Sequence, residues 1–517
     1  MTITDERAPT RDSLPPGRQA GVCLHITSLP GGYGIGELGE QARRFIDFIA
    51  QAGIKVWQFL PTGPTAYGDS PYQPLSSFAG NEMLIDIGAL LELDLLMQEE
   101  VVPLTALPLD HVDFGHLIPI KNALLKRAAS RFADKAPDYL KRDYQAFLLQ
   151  HDDAWLHDYA LFRSLKAFHE QQPWSKWKKQ FRAREEAALR EYATTHKAEL
   201  EAIKIIQFLF YEQWRELQQH AEKRGVWLFG DMPIYIALDS ADAWSAREML
   251  QVDEHGKPQA VAGVPPDYFS EDGQLWGNPL YDWDYHDKHG YDWWIQRIRH
   301  ATAMASLVRI DHFRGFESYW SVPAGDENAR NGHWVPGPGD RLFDAMQGAL
   351  GRLPIVAEDL GVITPEVEAL RDRHHLPGMV VLQFEIGNPE FKLENMRENC
   401  VCYTGTHDND TTLGWFMGSK DDTRSADEKQ KAAAQVLKVT HGTAETVHDD
   451  MVRIAMASNA RLAIAPMQDY LGLDSSARFN TPGKPGNNWQ WRLGDSALTK
   501  DFAARLGAVT RAGNRGI

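Results

Sequence analysis

The sequence predicts an α/β fold, a (β/α)8 barrel of the TIM type with inserted subdomains, and three observations carry that expectation. Eight short apolar runs bounded by turn signals recur along the chain, amphipathic stretches of helical period separate them, and three of the runs end on a carboxylate. Eight parallel strands close a barrel, and such barrels keep their chemistry at the carboxyl ends of the strands. A doubly wound open sheet would share the alternation. It gathers its ligands at a switch point, however, and here the carboxylates are spread over several strand ends.

The runs are GVCLHI from Gly21, VWQFLP from Val56, VWLFGDMP from Val226, LVRIDHF from Leu307, PIVAEDL from Pro354, MVVLQF from Met379, CVCYTGTHD from Cys400 and RLAIAPMQDYL from Arg461. Between them lie helical patterns such as LGEQARRFIDFIAQAG, GDRLFDAMQGALGR, PEVEALRDRHH and ETVHDDMVRIAMASNA. Continuous apolar strands alternating with amphipathic helices predict a sheet covered on its faces.

Two intervals are too long for simple crossovers. Residues 83–200 are rich in Leu, Ala, Lys, Glu and aromatics at helical spacing and predict an inserted helical subdomain. Residues 237–284 contain AVAGVPPDYFSEDGQLWGNPLYDW, whose Gly, Pro and Asp content predicts an irregular loop serving as a lid or binding loop. The expected organisation is a flexible leader over 1–20 and one catalytic barrel over 21–517, interrupted by these two insertions.

The 517-residue length fits this plan, because a barrel with insertions absorbs roughly 400 residues or more. A formal charge of -17 with no basic run disfavours nucleic acid and points to a neutral partner. Only three cysteines occur, Cys23, Cys400 and Cys402, with no redox or zinc spacing, which suits a reducing compartment. The polar, proline-bearing amino terminus has the character of neither a secretory signal nor a membrane anchor, so a cytoplasmic protein is expected. Aromatic residues are abundant, and most are expected to pack the core; those in polar, glycine-rich loops are candidates for stacking on sugar rings.

The acidic stations are RIDHF around Asp311, VAEDLG around Glu358 and YTGTHDND around Asp408. Glycosyl transfer with retention needs two carboxyl groups flanking one glycosidic bond, about 5 Å apart, one as nucleophile and one as acid/base. Arg309 and Asp311 are two apart, so on a strand they share a side, and the guanidinium favours the charged carboxylate that a nucleophile requires. A structural ion pair inside the barrel is the plain alternative. At the second station, alternation leaves Glu358 and Asp359 undecided, because strands in a covered barrel are apolar on both faces. Glu358 has the longer reach toward a leaving-group oxygen and would need a raised pKa; the plain alternative is that one of the two carboxylates caps the helix starting near Thr364. At the third, His407 and Asp408 could contact sugar hydroxyls. His25, Asp311, His312, Glu358, His407 and Asp408 are also metal-ligand types near one mouth, but no H-x-H, H-E-x-x-H or EF-hand pattern accompanies them, so no metal is expected. No glycine-rich phosphate cradle follows any strand, and no cofactor is expected.

The segments HITSLPGGYGIGELG, GPTAYGDSPYQPLSSFAGN, GDMPIYIALDSADAW, PPDYFSEDGQLWGNPLYDW, RIDHFRGF, VAEDLG, YTGTHDNDT and RFNTPGKPGNNWQWRL, in this order from about Gly21 to Leu493, resemble the amylomaltase family of 4-α-glucanotransferases, or disproportionating enzymes. The resemblance implies a retaining enzyme on α-1,4-glucans, with maltooligosaccharides as donor and acceptor and no essential metal. Matching motifs imply Asp311 as nucleophile, Glu358 as acid/base and Asp408 as transition-state stabiliser, supported by Arg309 and His407. They further imply Tyr72 stacked under the donor sugar, Asp231 hydrogen-bonded to it, and Gln274 with Trp276 lining the lid and acceptor side, in a loop that also holds Tyr268 and Phe269. The chain departs from the family at HITSLP, where Ile26 stands in place of proline, a change in strand packing more than in chemistry. A hydrolase of the same mechanism is the nearest rival, and a non-catalytic glucan-binding protein on a dead barrel is the rival from another class.

Overall fold

The computed structural model describes residues 13–266, 271–420, 422, 424–484 and 486–516. Eight parallel strands form one sheet: β1 (Gln19–Cys23), β2 (Val56–Gln58), β3 (Trp227–Met232), β4 (Leu307–Ile310), β5 (Ile355–Ala357), β6 (Gly378–Val381), β7 (Cys400–Tyr403) and β8 (Leu462–Pro466). Their hydrogen-bonded order is β6-β7-β8-β1-β2-β3-β4-β5, so the two ends of the row are consecutive in sequence. Between β5 and β6 the wall is joined by the Ala357 amide donating to Pro377 O at 2.8 Å. The Met379 amide donates to Asp359 Oδ1 at 2.6 Å just above. A nearly closed (β/α)8 barrel results.

Alternation along the strands separates two buried faces. Val56, Phe229, Leu307, Val356, Met379, Val381, Val401, Tyr403, Leu462 and Ile464 cluster together inside the barrel. Their neighbours Trp57, Leu228, Val308, Ile355, Cys400 and Ala463 belong instead to the larger core under the helices. Residues two apart share a face, and this sets the whole mouth. Phe229 inward places Asp231 inward, Leu307 places Arg309 and, just past the strand, Asp311, and Val356 places Glu358, while His407 follows the irregular turn after Tyr403.

The helix Glu40–Gln51 illustrates how the outer layer forms: Ala42, Phe45, Ile46, Phe48 and Ile49 recur at helical spacing and are buried. Gly53, at φ 73°, ends the turn in a left-handed conformation that glycine adopts without a Cβ penalty. Phe45 then meets Trp57 edge-on at 5.0 Å, and Trp57 Nε1 donates to Leu24 O at 2.8 Å, locking helix to strand. Between β2 and β3 run the helices Phe114–Lys135, Asp138–His151, His157–Phe168 and Lys197–Lys223, the last reaching well past the boundary expected from sequence.

Two expectations are corrected. Residues 13–20, expected as part of a flexible leader, pack against the barrel: Leu14 is 2% exposed within the interior cluster, and Ser13 Oγ donates to Leu353 O at 2.9 Å. The open lower end of the barrel needs an apolar plug, and Leu14 supplies it. The interval 237–284 is not wholly irregular either. Its strands Ala260–Val264 and Gln274–Pro279 join Ser318–Pro323 and His333–Pro336 in a four-stranded antiparallel sheet. The glycines that suggest a loop serve this sheet: a Cβ at Gly263 would lie 2.5 Å from Gln274 O, so the strands approach as they do only because it is absent.

Candidate functional site

Side chains from the inward faces of β3 and β4 meet at the carboxyl end of the barrel. Asp231 and Arg309 are register partners on these neighbouring strands. Arg309 Nη1 donates to both oxygens of Asp231 at 2.9 and 2.6 Å, and its Nη2 donates to Asp311 Oδ1 at 2.7 Å. Burial works against the Arg309 charge, but the carboxylates of Asp231 and Asp311 outweigh it and hold its pKa well above the ordinary value. The Asp231 side chain is fully buried, while Asp311 keeps 31% of its side-chain surface open to the mouth. One carboxylate is therefore spent on fixing the guanidinium, and the other is presented by it.

Glu358 stands at the end of β5 on the same inner face. Its Oε2 accepts from the His312 amide at 2.6 Å and its Oε1 from the Leu360 amide at 3.0 Å. Burial pushes its carboxyl up from 4.5 to about 8; Arg309 and the two amides pull against that, and the nearby Asp311 charge adds to it. A carboxyl group that is still protonated near neutrality can donate a proton. His312, the residue that hands its amide to Glu358, sits at φ 52°, a left-handed conformation uncommon outside glycine but one in which histidine, like asparagine and aspartate, is enriched. Its ring is held neutral by burial, with a pKa lowered to about 4.

The next residue, Asp359, points the other way and is the structural member of the pair. It accepts from Arg371 Nη1 at 2.5 Å and Arg397 Nη2 at 2.6 Å, besides the Met379 amide, and its side chain is 2% exposed. It pins the β5–β6 seam. The helix beginning at Pro365 is capped by neither carboxylate: Thr364 is its N-cap.

His407 and Asp408 follow β7. The His407 ring stacks on Tyr72 at 5.0 Å and 15°, and Tyr72 Oη donates to Asp231 Oδ2 at 2.9 Å. One face of Tyr72 is thus occupied by His407. Asp408 lies on the rim at 47% exposure, 3.3 Å from His407 Nε2. Two residues not singled out from sequence hold it: Asn480 Nδ2 donates to Asp408 Oδ1 at 2.6 Å, and Arg478 Nη2 donates to its backbone oxygen at 2.8 Å. The only sequence signal for them is the RFNTPG segment, which carries no carboxylate or histidine.

Gln274 and Trp276 lie on the small sheet. Trp276 Nε1 donates to Gln274 Oε1 at 3.2 Å, and the indole meets the His312 ring edge-on at 4.7 Å. This brings the small sheet against the Glu358 side of the mouth. Tyr268 and Phe269 lie outside the described residues. Tyr72, Asp231, Arg309, Asp311 and His407 therefore form one connected network, Glu358 joins it beside Asp311, and Asp408, Gln274 and Trp276 surround it. Among the described residues no group of three or more His, Cys, Asp or Glu is placed to hold a metal ion. None of their helices is long and apolar enough to cross a membrane.

A family model for 4-alpha-glucanotransferases matches residues 24–498. The 4-alpha-glucanotransferase of Thermus thermophilus is 47% identical over 508 residues, covering 96% of this chain and 99% of that protein. That of Synechocystis sp. is 44% identical over 502 residues, covering 95% and 97%. In three dimensions the chain is similar to the amylomaltase from Streptococcus agalactiae in complex with acarbose, with a TM-score of 0.91 at 36% identity over 97% of this chain and 100% of that one. The amylomaltase from Corynebacterium glutamicum shares the fold, with a TM-score of 0.79 at 17% identity over 95% of this chain and 75% of that one. The chain belongs to the 4-alpha-glucanotransferase family.

Proposed function

We propose that the protein is a 4-α-glucanotransferase that cleaves an α-1,4-glucan and passes the non-reducing segment to the 4-hydroxyl of a second glucan, with retention. The observation that carries this reading is the pairing of two unlike carboxyl groups on one inner face: Asp311, partly open and bonded by Arg309, beside Glu358, buried and raised to about 8. Family membership supports the same reading.

In the first step Asp311 forms a bond to the anomeric carbon as the bond from that carbon to the glycosidic oxygen breaks, and Glu358 gives its proton to the departing oxygen. In the second, the acceptor 4-hydroxyl returns a proton to Glu358 and its oxygen displaces Asp311. Arg309 aims the nucleophile through its hydrogen bond to Asp311, and Asp231, itself bonded by Tyr72, fixes Arg309. Asp408, held on the rim by Asn480, stands where it can bind sugar hydroxyls as positive charge grows on the ring. Donor and acceptor are maltooligosaccharides or longer α-1,4-glucans. The test is maltotriose as sole substrate: glucose with a ladder of chains longer than maltotriose is expected. Glucose and maltose alone would identify a hydrolase instead, and binding without turnover a dead barrel.

A further inference from the structure

Trp334 is a large aromatic side chain left 37% exposed, on the outer strand of the small sheet. An exposed indole alone means little, but this one is clamped. The Arg314 guanidinium lies 3.8 Å from the centre of its ring, and Trp320, its register partner on the adjacent strand, meets it edge-on at 5.1 Å and 69°. The clamp is itself fixed. Arg314 is buried and donates to Ser318 Oγ at 3.1 Å and to the backbone oxygen of Val362, and Trp320 Nε1 donates to Ala329 O at 2.9 Å.

Two short chain segments connect these contacts to the reacting centre. Val362 lies four residues after Glu358, and its exposed side chain sits on the loop that Arg314 ties to the sheet. Arg314 is two residues from His312, which donates its amide to Glu358 and meets Trp276. The segments from Glu358 to Val362 and from His312 to Arg314 thus both join the acid/base to the Arg314 guanidinium that lies against Trp334. An acceptor glucan whose 4-hydroxyl is at Glu358 must extend its remaining rings away from that carboxyl.

We propose that Trp334 is a distal acceptor platform, stacking on a ring of the acceptor glucan beyond the one engaged at Glu358. This rests on the transferase reading above. A pre-fixed aromatic face costs little ordering on binding and suits a neutral ring. Its effect should appear only with acceptors long enough to reach it.

The test measures transfer from α-glucosyl fluoride to glucose, maltose, maltotriose and maltotetraose. Trp334→Leu keeps an apolar cover over Arg314 but removes the flat ring, and Trp334→Phe restores one. For the leucine variant the maltotetraose KM should rise about fivefold, the loss of one stacked contact, with the glucose KM and kcat within twofold of wild type. The phenylalanine variant should recover much of the difference. Equal changes for glucose and maltotetraose, or an unchanged maltotetraose KM in the leucine variant, would overturn the proposal. Failure of the transferase reading would look different, since the wild-type protein would then transfer to none of the four.

Discussion

At the carboxyl end of the barrel, Asp231, Asp311 and Glu358 crowd around one guanidinium, that of Arg309, and burial drives Glu358 to about 8. At the amino end another arginine, Arg515, is fully buried, yet apart from one to the Ser458 hydroxyl its hydrogen bonds go to carbonyl oxygens. It donates to Met456, Gln19, Ser458 and Ala460 at 2.7 to 3.0 Å, closing the chain terminus against the base of the strands, with Leu14 filling the space inside. Carbonyl dipoles satisfy a charge without adding one that must itself be desolvated. The lower end buries one charge among dipoles, whereas the upper end buries several carboxyl groups close to one another. Substitutions at the two ends should therefore fall into opposite classes.

The largest effect belongs to Asp311→Asn. Losing a covalent nucleophile removes a step and not a contact, so transfer from maltotriose should fall by more than about a thousandfold while the thermal midpoint stays near wild type. Activity within tenfold of wild type, measured on protein free of wild-type contamination, would take Asp311 out of the role.

Glu358 and Asp359 repeat the comparison between two adjacent residues. Glu358→Gln should lose far more activity on maltodextrins than on α-glucosyl fluoride, because fluoride leaves without a proton. The sign of the stability effect follows from its raised pKa. Its stabilising contribution is complete below the unfolded value near 4.5 and is lost as pH rises through about 8. Wild type should thus lose ground to Glu358→Gln between those values, while its kcat/KM for maltotriose falls above about pH 8. Asp359→Asn should act as a lower-end substitution does, costing about 3 kcal/mol by removing the buried partner of Arg371, which keeps only the exposed Asp372, and of the partly exposed Arg397. If the fluoride dependence appeared in Asp359→Asn, the two assignments would have to be exchanged.

At the plugged end, Leu14→Ala should cost about 2 to 5 kcal/mol through the cavity it leaves, read by urea unfolding, with turnover per folded molecule unchanged. A drop in turnover matching that of the mouth variants would mean that the two ends are coupled.

How legible each end is from sequence follows from the physics that builds it. The eight apolar runs and the stations at Asp311, Glu358 and Asp408 could be read directly, since they depend on local patterning. The choice of Glu358 over Asp359 could not, because it depends on Val356 facing inward and both faces of β5 are apolar. Leu14 reads as leader because its partners are hundreds of residues away, and Asn480 escapes notice because an amide that orients Asp408 looks like any loop asparagine. The strands at 260–264 and 274–279 are hidden by the glycines that permit their close pairing.

The smallest effect, and the one that sharpens what the mouth does with water, concerns Trp276. Its indole meets His312, whose amide holds Glu358, and in the proposed mechanism the second step's nucleophile arrives beside that carboxyl. A sugar can stack there and water cannot, and closing a lid withholds water from a reactive ester. Trp276→Ala should therefore lower the transfer-to-hydrolysis ratio with maltotriose by about fivefold, on the order of 1 kcal/mol for one lost ring contact. It should do so without the fluoride dependence that marks Glu358→Gln. If Trp276 only packs the lid, transfer and hydrolysis should fall together. An unchanged ratio at matched maltotriose concentration would then leave exclusion of water to other parts of the mouth.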